Sequence, residues 1–426
     1  MSVPTLPNLR HLRALSLTAR HSSVNRAAAE ICLSQPAVTQ AITKLEAELG
    51  TFLFERTSSG MFVSDFGTII INRVDRALEI LGKAIVAASG GSPDSPPRDP
   101  LRHITTAQLR ALMAFKDCGS FESAANALSI SLLSMQRTVA ALERVVGAKL
   151  LLRSGRVLLP SAAGEILARG AKLAAREIEV GTEELENLRG YKTGRIVIGS
   201  MPLARVDLVP HAVTSLLRSF PDISVRITEG PYASLIAALR SGDSDMVVGA
   251  LRNTETYKDI EERLLFDDAL SVVVRSAHPL CRYESLSLAD TIGYPWVVPP
   301  TGTPTRDIFH KAFRSRALME PKRLVEVSSS VSLRAFLVES DRIAFVSRRQ
   351  LHYEEHQGLV KVLPIDLPEA HRPIGVMLRR DWKPSAAQSD LLTLLNAPKG
   401  AADSHSQVIS PVAVRRTRTG TSLAQG

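Results

Sequence analysis

The stretch Ser34-Gln35-Pro36-Ala37-Val38-Thr39-Gln40 carries side chains suited to recognition rather than to bond-making. Amides and hydroxyls of this size donate and accept hydrogen bonds at defined geometry, the chemistry that reads base edges and phosphates. The flanking residues supply a helix to hold them. Ser34 is a good N-cap, and Pro36 falls in the first turn, where its missing donor does no harm. Val38, Ile42 and Leu45 recur at helical spacing and bury one face. Gln35, Thr39 and Gln40 are left on the outer face. Upstream, Arg26 to Ile31 is a small-residue helix able to approach another closely, with Cys32-Leu33 as the turn between them. Helix, short turn, polar-tipped helix is a helix-turn-helix arrangement. An ordinary amphipathic pair in a bundle would show the same local pattern.

Catalytic chemistry finds no comparable footing. The chain has no nucleophile elbow, HExxH, Walker loop, GxGxxG or His cluster at metal spacing. Ser200, before Met-Pro, has no evident His or Asp partner. Cys32, Cys118 and Cys281 are far apart, without CxxC or zinc spacing, and are expected to be buried thiols in a reducing cytosol rather than redox groups. No catalytic residue, metal or cofactor is expected.

The residues after the helix pair add a family resemblance. Leu45-Glu46, Leu49-Gly50, Leu53-Phe54, Arg56, and Val63-Ser64 through Gly67 resemble the winged helix-turn-helix of LysR-type transcriptional regulators. That pattern has an Ala-Ala pair, SQPAVS, LE, LG, LF-R and T-x-x-G. Here Thr39 stands for the second Ser and Ser64 for the Thr, while His21-Ser22-Ser23-Val24 departs from the usual Gly-Ser-Phe. The resemblance implies double-stranded DNA as partner, met by Ser34, Gln35, Pro36, Thr39, Gln40 and Arg56.

Shifted by 97 residues, the block returns without a gap. Ala27-Ala28 becomes Ala124-Ala125, Ser34 becomes Ser131, Leu45-Glu46 becomes Leu142-Glu143, Arg56 becomes Arg153 and Gly67 becomes Gly164. The copies are unequal. Gly119-Ser120-Phe121 fits the family better than the first copy does. The second recognition stretch reads Ser131-Leu132-Leu133-Ser134-Met135-Gln136-Arg137, with leucines in place of Gln35 and Pro36. Gln136, Arg137 and Arg153 keep the capacity for phosphate or base contact. From Leu101 to Arg176 there are 11 Lys or Arg against 4 Asp or Glu, which suits charge-driven, weakly specific contact. A purely structural spacer is the other reading of this copy.

Each copy runs into a long helix with a heptad stripe: Ile70, Val74, Ala77, Leu81, Ala84 and Ala88, then Leu167, Ala171, Ala174, Ile178, Gly181 and Leu185. The resemblance implies that such a helix pairs subunits, giving a homodimer or homotetramer. A helix packed within one subunit would show the same stripe. Residues 89–100 form a Gly/Pro-rich linker, and 398–426 a polar tail expected to be disordered. At 426 residues the chain has room for several domains, with 45% apolar residues for their cores. The net charge of +9 suits a polyanionic partner. Without a signal pattern or a run of 18 apolar residues, no membrane partner and a cytoplasmic location are expected.

From Arg195 short β-rich runs alternate with helices, an α/β pattern with a largely parallel sheet expected. Gly194 to Gly199, Leu239 to Asp245 and His278-Pro279-Leu280 resemble the LysR-type effector domain. The resemblance implies two subdomains like those of periplasmic binding proteins, about 194–268 with 370–397, and 269–369 between. The expected fold is therefore multidomain: two mainly α winged units, 1–88 and 101–190, and an α/β effector domain over 191–397. Ser200, Thr301 to Thr303 and Ser328 to Ser330 read as helix caps at strand ends, where an open α/β sheet binds ligands and helix N-termini favour anions. A small anionic metabolite is expected there, held by Ser200, Met201, Thr301 and Thr303, with Ser329 at the rim and Arg252 pairing its charge. The reading is a ligand-responsive DNA-binding regulator. The alternative is a cytoplasmic small-molecule-binding protein or enzyme with a vestigial DNA-binding block.

Overall fold

The computed structural model describes residues 5–57, 60–91, 99–252 and 257–396. Most of the expected linker and the tail from 398 lie outside the described residues. The first unit comprises α1 (Leu9–His21), α2 (Val24–Ile31), α3 (Gln35–Leu49), a hairpin of β1 (Phe54–Thr57) and β2 (Gly60–Val63), and the long α4 (Asp65–Ala88). The second repeats it as α5 (Thr106–Cys118), α6 (Phe121–Leu128), α7 (Leu132–Val146), β3 (Leu151–Ser154), β4 (Val157–Pro160) and α8 (Ala162–Leu188).

The repeat extends to individual bonds. The Glu46 carboxylate accepts from the Leu53 N–H at 2.8 Å, and Glu143 from Leu150 at 2.9 Å. Ser64 Oγ donates to the Phe52 carbonyl at 2.9 Å, and Ser161 Oγ to that of Lys149 at 2.6 Å. Gly67 and Gly164 pack so closely that a Cβ would fall 2.1 Å from the carbonyl oxygen of Leu53 or Leu150. That contact fixes where each long helix leaves its wing, and only glycine allows it.

The long helices pack on each other, antiparallel, inside one chain. A Cβ on Gly170 would lie 2.3 Å from that of Ala84, and one on Gly181 3.0 Å from that of Arg73. The 97-residue shift converts the first pair into the second, since Ala84 becomes Gly181 and Gly170 corresponds to Arg73. The copies are thus related by a pseudo-two-fold axis through the crossing. The Leu9 N–H donates to Thr106 Oγ1 at 3.0 Å, and these positions are also equivalents, so they meet beside the axis. One apolar core runs through both units, from Leu6 to Leu185. This corrects the expectation that the α8 stripe pairs subunits: Leu167, Ala171, Ala174 and Leu185 are already buried in that core. A stripe of apolar residues demands a partner helix, and α4 meets the demand first.

The α/β half contains β5 (Thr193–Ser200), α9 (Val209–Ser219), β6 (Asp222–Glu229), α10 (Tyr232–Ser241), β7 (Met246–Ala250) and the long β8 (Ile260–Arg275). Then follow β9 (Trp296–Val298), α11 (Pro304–Arg314), β10 (Leu324–Glu326), α12 (Ser330–Glu339), β11 (Ile343–Ser347), α13 (His352–His356), β12 (Val360–Val362), β13 (His371–Arg379) and α14 (Ala386–Asn396). The strand order is β10-β9-β11-β8-β13-β7-β5-β6, with β12 beside β8. The sheet is mixed, not largely parallel. Strands β5, β6 and β7 run parallel, as do β9, β10 and β11, but β8 and β13 pair antiparallel with each other and with their neighbours. Over residues 260–269 β8 pairs with β13, and over 270–275 with β11 and β12, so it joins two α/β cores. One core gathers Ile196, Val248, Val376 and Leu391; the other gathers Val272, Trp296, Phe309 and Phe345.

Candidate nucleic-acid interface

Helix α3 begins at the Ser34 cap, whose Oγ accepts from the Ala37 N–H at 3.4 Å, with Pro36 in its first turn. Val38, Ala41, Ile42 and Leu45 are buried; Ser34, Gln35, Pro36 and Gln40 are exposed and Thr39 half-exposed. Folding has thus used the apolar face and left the polar face open. Arg56 lies on β1, and its side chain falls outside the described residues. In the second copy the Ser131 cap accepts from the Ser134 N–H at 3.1 Å. Met135, Val139 and Leu142 are buried, while Leu132, Leu133, Gln136 and Arg137 are exposed, as is Arg153 on β3. Apart from Arg56, the expected contact residues therefore lie on the outer surface of two equivalent helices and of the second wing.

The expected effector residues fare unevenly. Ser200, the last residue of β5, is fully buried, and its Oγ has no hydrogen-bond partner. It caps nothing, contrary to expectation. The following helix opens with a π-turn, Ala204–Leu208, a feature common at functional sites. Met201 is committed to packing: its side chain lies against Gly249, and its N–H donates to the Val248 carbonyl at 3.0 Å. Thr301 is no open anion donor, because its N–H and Oγ1 both donate to the Glu326 carboxylate, at 3.3 and 3.1 Å. Thr303 Oγ1 donates to the Pro300 carbonyl at 2.7 Å and caps α11. Ser329 caps α12 by accepting from the Ser332 N–H, whereas the buried Oγ of its neighbour Ser330 has no partner.

Arg252 lies just past the end of β7. Its Nη1 donates to the Gly302 carbonyl at 3.2 Å, bringing the end of β7 to the Thr301–Thr303 loop. Its guanidinium lies 4.2 Å from the centre of the Tyr232 ring, and its Nε is buried without a partner. Burial lowers its pKa against the opposing pull of Tyr232 and Asp307. Sequence reasoning missed Tyr232 and Glu326, since nothing in their local pattern marks a shared cleft, and it took Ser330 only as part of a cap run. It also missed the buried pair Arg372–Asp268 at 3.0 Å, which ties β13 to β8 between the two cores. Ser347 Oγ donates to the same Asp268 at 2.7 Å.

A second set of charges fastens the α/β half to the tandem block. Arg176 on α8 reaches Asp245 at 3.3 Å, Glu183 at 2.9 Å and the Arg195 carbonyl at 2.7 Å. Burial works against its charge, but the three surrounding carboxylates raise its pKa. Lys172 spans Asp117 and Asp243, while Arg73 on α4 pairs with Glu177 and Glu184 and donates to the Lys383 carbonyl. A crevice of about 1020 Å³ lies here, lined by Arg73, Lys172, Arg176 and Glu183 among others. Its charges already pair with one another, so it offers an incoming anion little.

Among the described residues no helix is long and apolar enough to cross a membrane. Compared with known families, residues 9–68 and again 106–165 match "Bacterial regulatory helix-turn-helix protein, lysR family", and residues 189–397 match "LysR substrate binding domain". The chain is 30% identical over 392 residues to the HTH-type transcriptional regulator GalR of Pseudomonas putida, covering 92% of this chain and 97% of that one. It is 29% identical to the HTH-type transcriptional regulator PcaQ of Agrobacterium fabrum, over 69% of this chain and 95% of the relative. Among solved structures, full-length OxyR of Pseudomonas aeruginosa shares the fold at 20% identity and a TM-score of 0.51, covering 69% of this chain and 95% of that chain. These relatives are named as regulators, not enzymes.

Proposed function

The chain belongs to the LysR family of transcription regulators, and on that premise we propose that α3 reads operator DNA while a small anion held between the two α/β cores controls the outcome. The observation that carries the reading is the exposed polar face of α3, set on a fully packed winged unit. Gln35 and Thr39 supply specificity; Ser34, Pro36, Gln40 and Arg56 position the helix, and Gln136, Arg137 and Arg153 add contacts from the second copy. The work is that of the cytoplasm, where the DNA is. Assembly beyond one chain, to a dimer or tetramer, would use the α/β halves, since the α8 stripe is occupied. For the effector, Ser200 and Arg252 are the chief contacts, with Ser330 more available than Ser329; Thr301 and Thr303 shape the loop that Arg252 meets. Buried polar atoms without partners cost about 1–3 kcal/mol each, a cost that a bound oxyanion would offset.

Two measurements test this. Fluorescence anisotropy on promoter fragments should show Gln35→Ala or Thr39→Ala losing about 1–3 kcal/mol of discrimination at particular base pairs. Arg137→Ala should instead weaken all sequences alike. Calorimetry with carboxylates against neutral sugars should give heat only for acids. Unchanged acid affinity in a Ser200→Ala, Arg252→Gln double variant would remove the proposed cleft.

A further inference from the structure

In a symmetric dimer of a DNA-binding protein, two identical helices read two identical half-sites. Here the pairing lies within one chain. The crossing of α4 and α8 relates α3 to α7 by a pseudo-two-fold, as the paired contacts Ala84–Gly170 and Arg73–Gly181 require. A two-fold rotation preserves height along its axis, so both recognition helices sit at the same height along it. Their caps, Ser34 and Ser131, are equivalent and intact. Their outer faces are not. Gln35, Pro36, Thr39, Gln40, Thr43 and Lys44 on α3 correspond to Leu132, Leu133, Gln136, Arg137, Ala140 and Ala141 on α7.

We propose that one chain is a complete two-headed DNA reader with unequal heads, α3 reading amide- and hydroxyl-compatible base edges and α7 reading thymine methyls through Leu132 and Leu133. This rests on the DNA-binding reading above. Leu132 is 39% and Leu133 54% exposed, at the tip that α3 fills with Gln35 and Pro36. In the major groove the only apolar group a base presents is the C5-methyl of thymine. Arg137, a turn further on, supplies a cation for phosphate. The operator is accordingly a pair of dissimilar half-sites, one of them thymine-rich at the leucine positions, and the chain lies on it in one direction.

The test uses the full-length chain. Selection from a random duplex library yields a bound site; Gln35→Ala identifies the half read by α3, because discrimination relaxes there alone. Three duplexes then compete: the selected site and the two palindromes made by doubling either half. The selected site should bind best. Replacing thymine by deoxyuridine removes only the methyl, and in the α7 half each contacted position should weaken binding about fourfold. Leu132→Ser with Leu133→Ser, both at exposed positions, should abolish that sensitivity. A palindrome that binds better than the selected site, or Gln35→Ala relaxing both halves, overturns the two-headed chain. Deoxyuridine without effect overturns the methyl reading and leaves the leucines to a protein partner. No enrichment of any duplex removes the DNA-binding reading itself.

Discussion

Ser22 shows what a single departure from the family pattern costs. It turns the chain between α1 and α2 at φ 49°, where the second copy has Gly119 at φ 74°. The left-handed region costs a residue with a Cβ about 1–2 kcal/mol. Ser22→Gly should therefore stabilise the first unit, by up to about 1 kcal/mol after glycine's larger chain entropy is counted; urea denaturation would read the gain. Glu143 illustrates a charge held by a wing. Burial raises its pKa, but Lys149 and the N–H groups of Leu150 and Leu151 outweigh that, and the net shift is downward from 4.5. A depressed carboxylate stabilises the fold above its unfolded pKa and loses that contribution as pH falls through the folded value. The protection factors of the Leu150 and Leu151 amides, exchange rates taken relative to the free amide at the same pH, should fall as pH drops below about 4.5, and Glu143→Gln should flatten the dependence. An unchanged profile in that variant would assign the acid sensitivity elsewhere.

At the scale of elements, the crossing of α4 and α8 is the feature most exposed to test. Gly170 admits no side chain against Ala84. Gly170→Val should cost about 1–3 kcal/mol by overpacking. Leu185→Glu would bury a charge without a partner, at a cost of several kcal/mol. Both should lower the unfolding midpoint while the native mass in light scattering stays the same; a halved mass would return the seam to a subunit interface. Much of this was legible beforehand. The 97-residue shift holds down to the bonds of Glu46 and Glu143, and the caps at Ser34 and Ser131 are where helix chemistry puts them. The identity of each stripe's partner was not legible, because an apolar stripe records that it is covered and not by what. Ser200 failed as a cap for a similar reason: whether a hydroxyl meets a helix end or a cavity is decided by distant residues. The mixed sheet escaped because β8 changes neighbours midway, and strand direction leaves no mark in local composition.

At the scale of the molecule, two recognition helices are served by one α/β half, which docks with a definite polarity. Its anchors on α8 lack counterparts on α4: Arg176 corresponds to Glu79 and Lys172 to Asp75. Arg73 and Arg76, which reach the Lys383 and Asp381 carbonyls from α4, correspond to Gly170 and Leu173. The pseudo-symmetry is thus broken where the regulatory half attaches, and any shift of that half would reach the two heads by different routes, through α8 by Lys172 and Arg176 and through α4 by Arg73 and Arg76. The covalent pairing of the heads has one more consequence, for dilution. Subunits that pair through a seam come apart as their number falls, so occupancy drops with the square of copy number once dimers are scarce. If both heads read DNA as proposed, the second meets it at a local concentration set by the fold. Occupancy then follows the first power of copy number, and a cell holding a handful of molecules loses none of them to unpaired halves.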